Sequence, residues 1–172
     1  MASESAPEPA VVAGPRAGRW AWLAATFFGA GRLRPGPGSW GSLAAVGLWS
    51  LFAAYTPAGW HAPAAAVGAA LALAVGIPAS TRVARESGRK DPSFVVIDEV
   101  CGQLIALIGA SLRWKSVLAG FILFRAFDIV KPPPLRRLEQ IPGGAGIMLD
   151  DVGAGLYALL IMRVLAHYGI LG

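Results

Sequence analysis

The feature that most constrains this chain is a stretch of 40 residues, 42–81, that contains no Asp, Glu, Lys or Arg. The segment TPAGWHAP, residues 56–63, interrupts the stretch near its middle. Because one membrane-crossing helix needs about 20 apolar residues, the stretch predicts two short transmembrane helices joined by a turn. The basic sequence TRVARESGRKD (81–91) follows directly. Cytoplasmic loops carry an excess of Lys and Arg, so we expect the second helix to end in the cytoplasm.

The rest of the chain continues this apolar character. Hydrophobic residues make up 55% of the sequence and charged residues only 15%, whereas soluble domains have about 25% charged residues. Three further apolar segments predict helices at 94–112, 116–130 and 151–171; the first two are short enough to enter the membrane only partway. No β-type alternation is present. We therefore predict an all-α protein, a small polytopic helical membrane bundle with its polar site at the cytoplasmic face.

The N-terminal part of the chain differs in composition from the apolar segments. Residues 1–15 are rich in Pro, Ala and Ser, which predicts a disordered N-terminal tail, and residues 16–172 form the predicted helical membrane domain. The loop GRLRPGPGSWGS (31–42) contains helix-breaking Pro and Gly residues. Ser39 or Ser42 is expected to cap the helix that follows.

The charge balance bears on the partners. The net charge is +5, but the basic residues are scattered between apolar segments. Anionic lipid headgroups and the positive-inside rule explain this scatter better than nucleic acid does, so we expect a membrane partner and no nucleic acid. The single cysteine, Cys101, excludes an intrachain disulfide and is expected to be buried.

Five of the ten acidic residues lie at the edges of strongly apolar segments. A carboxylate in such a place is costly unless it has a partner or a function. In the predicted topology, the four sequence motifs that carry these acids or precede the first span all reach the cytoplasmic face. We therefore expect the five acids to gather there with the loop 35–41; they are Asp98, Glu99, Asp128, Asp150 and Asp151.

Two cations accompany the middle acid. Arg125, Asp128 and Lys131 are spaced i, i+3 and i+6, which on a helix would place Asp128 near both cations. Five clustered carboxylates cannot all stay ionised without compensation, and the two cations leave about three negative charges. A Mg²⁺ ion prefers oxygen ligands and would neutralise most of that remainder. The pattern thus predicts metal-dependent phosphate chemistry at a membrane surface.

Each motif also has a plainer explanation. Acids favour helix starts, an Arg–Asp pair is a common salt bridge, and a glycine-rich segment can be a flexible turn. The alternative to an enzyme is a non-catalytic membrane scaffold or an anionic-lipid-binding protein. That alternative explains the apolar helices and basic loops but not five clustered acids.

Four motifs together resemble the phosphatidylglycerophosphatase A family. They are PGPGSWGS at 35–42, Asp91 followed by Asp98-Glu99, FRAFDIVKPPP at 124–134, and GGAGIMLDDVGAG at 143–155. The resemblance implies Mg²⁺-dependent hydrolysis of the terminal phosphate of phosphatidylglycerophosphate, giving phosphatidylglycerol, in the bacterial inner membrane. Ser39 and Glu139 replace the Thr and Asp that are more usual in the family, and both keep the chemical group.

The resemblance also implies roles for individual residues. The expected metal ligands are Asp98, Glu99, Asp128, Asp150 and Asp151, and the expected catalytic residues are Asp98, Glu99, Asp128 and Asp151. Asp98 or Asp151 would act as the general base, and a route through an aspartyl-phosphate stays open. The residues expected to bind the substrate phosphate are Arg125, Lys131, Gly38, Ser39 and Gly144.

Overall fold

A computed structural model describes residues 16–171, and this part of the chain is entirely helical, without a strand. The all-α prediction is confirmed. The predicted disordered tail, residues 1–15, lies outside the described residues. In chain order the helices are α1 (Arg19–Ala25), α2 (Pro37–Ala54), α3 (His61–Ser87), α4 (Ile97–Leu107), α5 (Trp114–Val130), α6 (Leu135–Leu138) and α7 (Gly144–His167), with short 3₁₀ helices at Ala30–Arg32 and Ala58–Trp60.

The charge-free stretch forms most of α2 and α3 with a turn between them, as predicted, but α3 continues to Ser87 and so takes in Arg82 and Arg85 of the basic segment that was expected to be a loop after the helix. However, α2 begins at Pro37, inside the segment where Pro and Gly were expected to prevent a helix. Proline is well tolerated in the first turn of a helix, where its missing N–H would have no partner, and Gly36 supplies the left-handed turn before it with φ +68°. The expected cap by Ser39 or Ser42 is wrong, since neither side chain caps the helix.

Helix α4 is the centre of the bundle and contacts α2, α3, α5 and α7. It has 11 residues, fewer than the predicted segment, and spans only about 16 Å at 1.5 Å per residue. Most of its side chains are buried, including the polar Asp98 and Gln103. Because neighbouring helices surround α4, the acids of its first turn, Asp98 and Glu99, have fixed positions within the bundle.

Glycines bring α4 and α7 into backbone contact. A Cβ atom at Gly155 would collide with the carbonyl oxygen of Gly102, and a Cβ at Gly102 would collide with the ring of Phe124 and the carbonyl oxygen of Asp151. Small residues allow this close approach of two helices. The contact sets the distance between the acids of α4 and those of α7.

The outer surface of the bundle is apolar. Two helical stretches in the described part, Ala58–Ser87 and Gly144–His167, are long and apolar enough to cross a membrane. Large apolar side chains on α2, α3, α5 and α7 are exposed, which a water-soluble monomer rarely allows over such an extent. They include Leu48, Leu51, Val67, Leu71, Ile122, Leu156 and Leu160.

Candidate active site

A single cleft of about 290 Å³ collects almost all the acids of the described chain. Of the eight acidic residues in residues 16–171, seven line it, and only Glu86 lies elsewhere. Three cations, Lys90, Arg125 and Lys131, line the same cleft. Its formal charge is therefore −4, in a chain whose net charge is +5.

The inner part of the cleft consists of Asp98, Glu99 and Asp151. Each offers one carboxylate oxygen, and the three oxygens lie within 4.8 Å of one another. Asp98 and Asp151 are almost fully buried, with 8% and 3% of their surface exposed. One buried oxygen of each of the three residues has no hydrogen-bond partner among the described residues. Buried polar atoms without a partner are rare and costly.

Helix α7 brings its acids into the cleft from its second turn. The helix starts at Gly144, earlier than the predicted start at residue 151. Gly144 packs against the carbonyl oxygen of Ile77 so closely that a Cβ would collide, and its N–H donates to Thr81 Oγ1 over 2.8 Å. Asp151 therefore lies inside the helix rather than at its cap, and its side chain is buried.

The outer part of the cleft is paired internally. Arg125 Nη1 lies 2.6 Å from Asp128 Oδ2 and 4.0 Å from Glu99 Oε1. Lys131 Nζ lies 2.6 Å from Asp150 Oδ2 and 3.4 Å from Glu139 Oε2. The predicted Arg125–Asp128 pair is present.

The expected second pair of Asp128, with Lys131, is wrong. Helix α5 ends at Val130, and Lys131 adopts a left-handed conformation with φ +47°. The prolines that follow cannot continue a helix. Lys131 consequently leaves the face of Asp128 and reaches α7, where it pairs with Asp150.

Two titratable side chains outside the long apolar helices have a pKa that differs from its usual value. Burial tends to lower the pKa of the Lys131 ammonium, but the hydrogen bond and charge of Asp150 and the charge of Glu139 raise it above its usual value. Burial raises the pKa of the Asp91 carboxyl, against the opposing charge of Lys131. Lys131 therefore keeps its positive charge throughout the physiological pH range.

Only some of the residues predicted to bind the substrate phosphate line the cleft. Gly38 lines the cleft, and a Cβ there would collide with Glu99 Oε1. Ser39 is half-buried in the next position of α2 but does not line the cleft. Gly144 does not line it either, and its N–H is bound to Thr81; the adjacent Gly143 lines the cleft instead.

Several cleft residues received no role from the sequence. Lys90, Asp91 and Ser93 line the cleft from the loop before α4, and Glu139 lines it from the end of α6. Asp91 belonged to a motif that was recognised, but its function was not assigned. The sequence feature that could have identified the first three of these residues is the short polar segment between the basic residues after α3 and the apolar start of α4.

The inner carboxylates fit a divalent metal ion. Mg²⁺ and similar hard cations take oxygen ligands and commonly bind through one or two carboxylates together with substrate phosphate. Three converging carboxylates, each with an unpartnered buried oxygen, provide such a donor set. Within the described residues, the nearest cation that pairs with any of them is Arg125, at 4.0 Å from Glu99.

The structure combines apolar helices with one cleft of carboxylates and cations. Together with the comparison with known proteins, this defines the class: a helical membrane-type hydrolase of phosphoric monoesters. The family model described as phosphatidylglycerophosphatase A matches residues 23–166. The chain belongs to the phosphatidylglycerophosphatase A family.

Relatives from three bacteria are similar to most of the chain, and two of them carry the name of this family. A phosphatidylglycerophosphatase A of Haemophilus influenzae is 35% identical over 148 residues, 85% of this chain and 88% of the relative. The Escherichia coli phosphatidylglycerophosphatase A is 35% identical over 152 residues, 87% and 86% of the two chains. A Bacteroides thetaiotaomicron protein, provisionally named a phosphatidylinositol-3-phosphatase, is 38% identical over 148 residues, 83% and 91% of the two chains. No solved structure matches the chain.

Proposed function

We propose that this phosphatase hydrolyses the terminal phosphate of phosphatidylglycerophosphate to give phosphatidylglycerol, in a reaction that depends on Mg²⁺. The observation that carries the proposal is the gathering of seven of the eight described acids in one cleft with three cations. The substrate is proposed from the relatives, two of which are named phosphatidylglycerophosphatase A. A scaffold or lipid-binding protein would not need unpartnered carboxylates at the centre of its bundle.

The metal would be held by Asp98, Glu99 and Asp151, with Asp128 and Asp150 completing the acidic surroundings. When bound, it would polarise the phosphoryl group and lower the pKa of a water molecule. The fit rests on the donor set of the three inner carboxylates, which converge from α4 and α7.

The remaining steps belong to residues of the chain. Arg125 and Lys131 would bind the phosphate oxygens and stabilise the charge that develops in the transition state. Asp98 or Asp151 would accept the proton of the attacking water. The first turn of α2 reaches the cleft at Gly38, where the positive end of the helix dipole favours an anion.

We further propose that the protein is a multi-pass protein of the bacterial inner membrane with the cleft facing the cytoplasm. The exposed apolar side chains of four helices support a bundle that lies in lipid. The end of α3 carries Arg82 and Arg85, and Arg89 and Lys90 follow it. Since this basic segment borders the cleft, the positive-inside rule supports a cytoplasmic position for both.

Phosphate release from purified lipids tests the function. The detergent-solubilised protein is assayed on phosphatidylglycerophosphate, phosphatidic acid and phosphatidylinositol 3-phosphate, with Mg²⁺ and with EDTA. We expect the fastest release from phosphatidylglycerophosphate and no release in EDTA. Release from none of the lipids favours the scaffold, undiminished release in EDTA removes the metal from the proposal, and preference for another lipid replaces the substrate.

A further inference from the structure

A second cavity lies beside the cleft, between the last turns of α3 and the residues that begin α7. We call it the basic groove, and its volume is about 780 Å³. This size lies within the range of about 300–1,000 Å³ that is typical of ligand pockets. Its lining residues are Ile77, Thr81, Ala84, Arg85, Gly88, Arg89, Lys90, Pro142, Gly143 and Ala145.

The basic groove is continuous with the acidic cleft. Lys90 and Gly143 line both of them. The floor between α3 and α7 is closed by the contact of Gly144 with the carbonyl oxygen of Ile77 and by its hydrogen bond to Thr81. A molecule in the cleft can therefore extend into the groove without crossing the body of the protein.

Polarity changes along the groove. Ile77, Ala84 and Ala145 give it apolar walls along the end of a helix that is long and apolar enough to cross a membrane. Arg85, Arg89 and Lys90 give it three cations, all solvent-exposed. None of these three forms an ion pair with another residue in 16–171, unlike Arg125 and Lys131, the other two cations of the cleft.

We propose that the basic groove binds the phosphodiester and glycerol backbone of the lipid substrate, so that the lipid reaches the cleft laterally from the membrane. The inference rests on the proposed function and adds a recognition site to it. The proposed substrate carries a terminal phosphate monoester, then the headgroup glycerol, then a phosphodiester, then the glycerol backbone with its acyl chains. The protein offers matching features side by side: the cleft, the unpaired cations and the apolar walls.

Charge complementarity favours this occupant. A phosphodiester keeps one negative charge at neutral pH, and unpaired arginines bind phosphate oxygens well because their donors form a planar fork. The acidic cleft has a formal charge of −4. It would therefore repel a second anionic group that is not in contact with the bound metal. Arg85 and Arg89 are therefore positioning residues, which orient the lipid through a group that does not react.

Kinetics of the double variant Arg85→Gln/Arg89→Gln in mixed micelles tests the inference. We expect KM for phosphatidylglycerophosphate to rise about tenfold while kcat changes less than about twofold, because only binding outside the reacting phosphate is weakened. The product, phosphatidylglycerol, keeps the phosphodiester but lacks the monoester. Its inhibition constant should rise by a similar factor.

Arg82→Gln is the matched control. Arg82 lies on the same helix and carries the same charge, but its guanidinium stacks over the ring of Trp20 at 4.8 Å and does not line the groove. We expect its KM and inhibition constant to match the unchanged protein. An equal rise in both variants would indicate attraction to the anionic surface in general and would overturn the inference.

The outcomes separate the two proposals. If the unchanged protein releases phosphate but KM and the inhibition constant do not respond to the double variant, the groove has another role and only this inference fails. A fall in kcat at constant KM would also overturn it, because the arginines would then act on the reacting phosphate. If the unchanged protein releases no phosphate from the lipid, the proposed function itself fails.

Discussion

The inner and outer parts of the cleft compensate their carboxylates in different ways. In the outer part, Asp128 and Asp150 each lie 2.6 Å from a cation, Arg125 and Lys131 respectively. In the inner part, three carboxylate oxygens lie within 4.8 Å of one another, and each residue has a buried oxygen without a partner, as Asp150 also has. The outer acids are each neutralised by a close cation of the chain, whereas among the inner acids only Glu99 has such a cation within reach, Arg125 at 4.0 Å.

The size of the repulsion shows why this difference matters. Two ionised carboxylates 4.8 Å apart repel by roughly 3 kcal/mol at an effective dielectric of about 20. Such a cost is large beside the total stability of a domain, about 5–15 kcal/mol. An external cation bound by the inner acids, as proposed, would relieve this repulsion, and the outer pairs hold two cations at the edge of the same cleft.

The largest expected effect comes from neutralising Asp98 and Asp151 of the proposed metal site and Asp128, which pairs with Arg125 beside it. Asp98→Asn, Asp128→Asn and Asp151→Asn should each reduce phosphate release by about 10³-fold or more, equivalent to about 4 kcal/mol of transition-state stabilisation. Rates are measured at saturating Mg²⁺ and lipid.

The control is Glu86→Gln, at the only acid of residues 16–171 outside the cleft. Its Oε2 accepts hydrogen bonds from the Ala17 N–H and Trp22 Nε1, which a glutamine oxygen can still accept. We expect nearly normal activity. Full activity in any of the three Asn variants would remove that residue from the site.

The outer cations should have the next largest effect. Arg125→Gln and Lys131→Gln should each lower kcat/KM about 10²-fold, because a charged group that stabilises the transferring phosphate is lost. The measurement is the initial rate across lipid concentrations. Arg137→Gln is the control, an exposed arginine on α6 outside the cleft; a loss as large in this variant would show that overall charge, rather than position, matters.

Stability in the absence of metal tests the comparison directly. In EDTA, Asp151→Asn should raise the free energy of unfolding by about 1 kcal/mol, because it relieves repulsion among the inner acids. Asp150→Asn should lower it by about 1–3 kcal/mol, because Lys131 loses a charged hydrogen-bond partner. Denaturation is followed in detergent. Shifts in the same direction for both variants would contradict the distinction between the two parts.

A smaller effect is expected from a substitution at Gly38, through which α2 lines the cleft. Gly38→Ala would place a methyl group against Glu99 Oε1 and 3.2 Å from Arg125 Nη1, so the two side chains must move. We expect phosphate release to fall about tenfold, or about 1.4 kcal/mol, with little change in stability. Gly47→Ala, on the same helix with nothing within 4 Å of the added atom, should leave the rate unchanged. Equal rates in both variants would show that Gly38 does not shape the site.

Local patterns in the sequence predicted the five long helices, α2 to α5 and α7, and the Arg125–Asp128 pair. The spacing i, i+3 fixes two side chains on one helix face without reference to the rest of the fold, and the charge-free stretch needs only length and composition. The gathering of motifs at one end was predicted from alternation of the helices. These inferences depend on a few residues at a time or on the order of the segments.

Contacts between distant segments were beyond such reasoning. Lys131 pairs with Asp150, 19 residues away, because α5 ends at Val130 and the left-handed conformation of Lys131 redirects its side chain. Asp151 is buried in the second turn of α7 because Gly144 contacts α3 and lets the helix start earlier. Each of these outcomes depends on tertiary packing that no local motif specifies.

The backbone contact between Gly102 and Gly155 also bears on ionic selectivity. Helices that touch through glycines cannot move closer, and neighbours on both sides prevent α4 from moving away. The inner carboxylates are therefore held by a rigid frame, whereas Ca²⁺ needs six to eight oxygens at about 2.3–2.6 Å and flexible ligands. If the inner acids hold the proposed Mg²⁺, a frame of this kind would favour a small octahedral ion over a larger one, because the helix pair could not spread to admit more ligands.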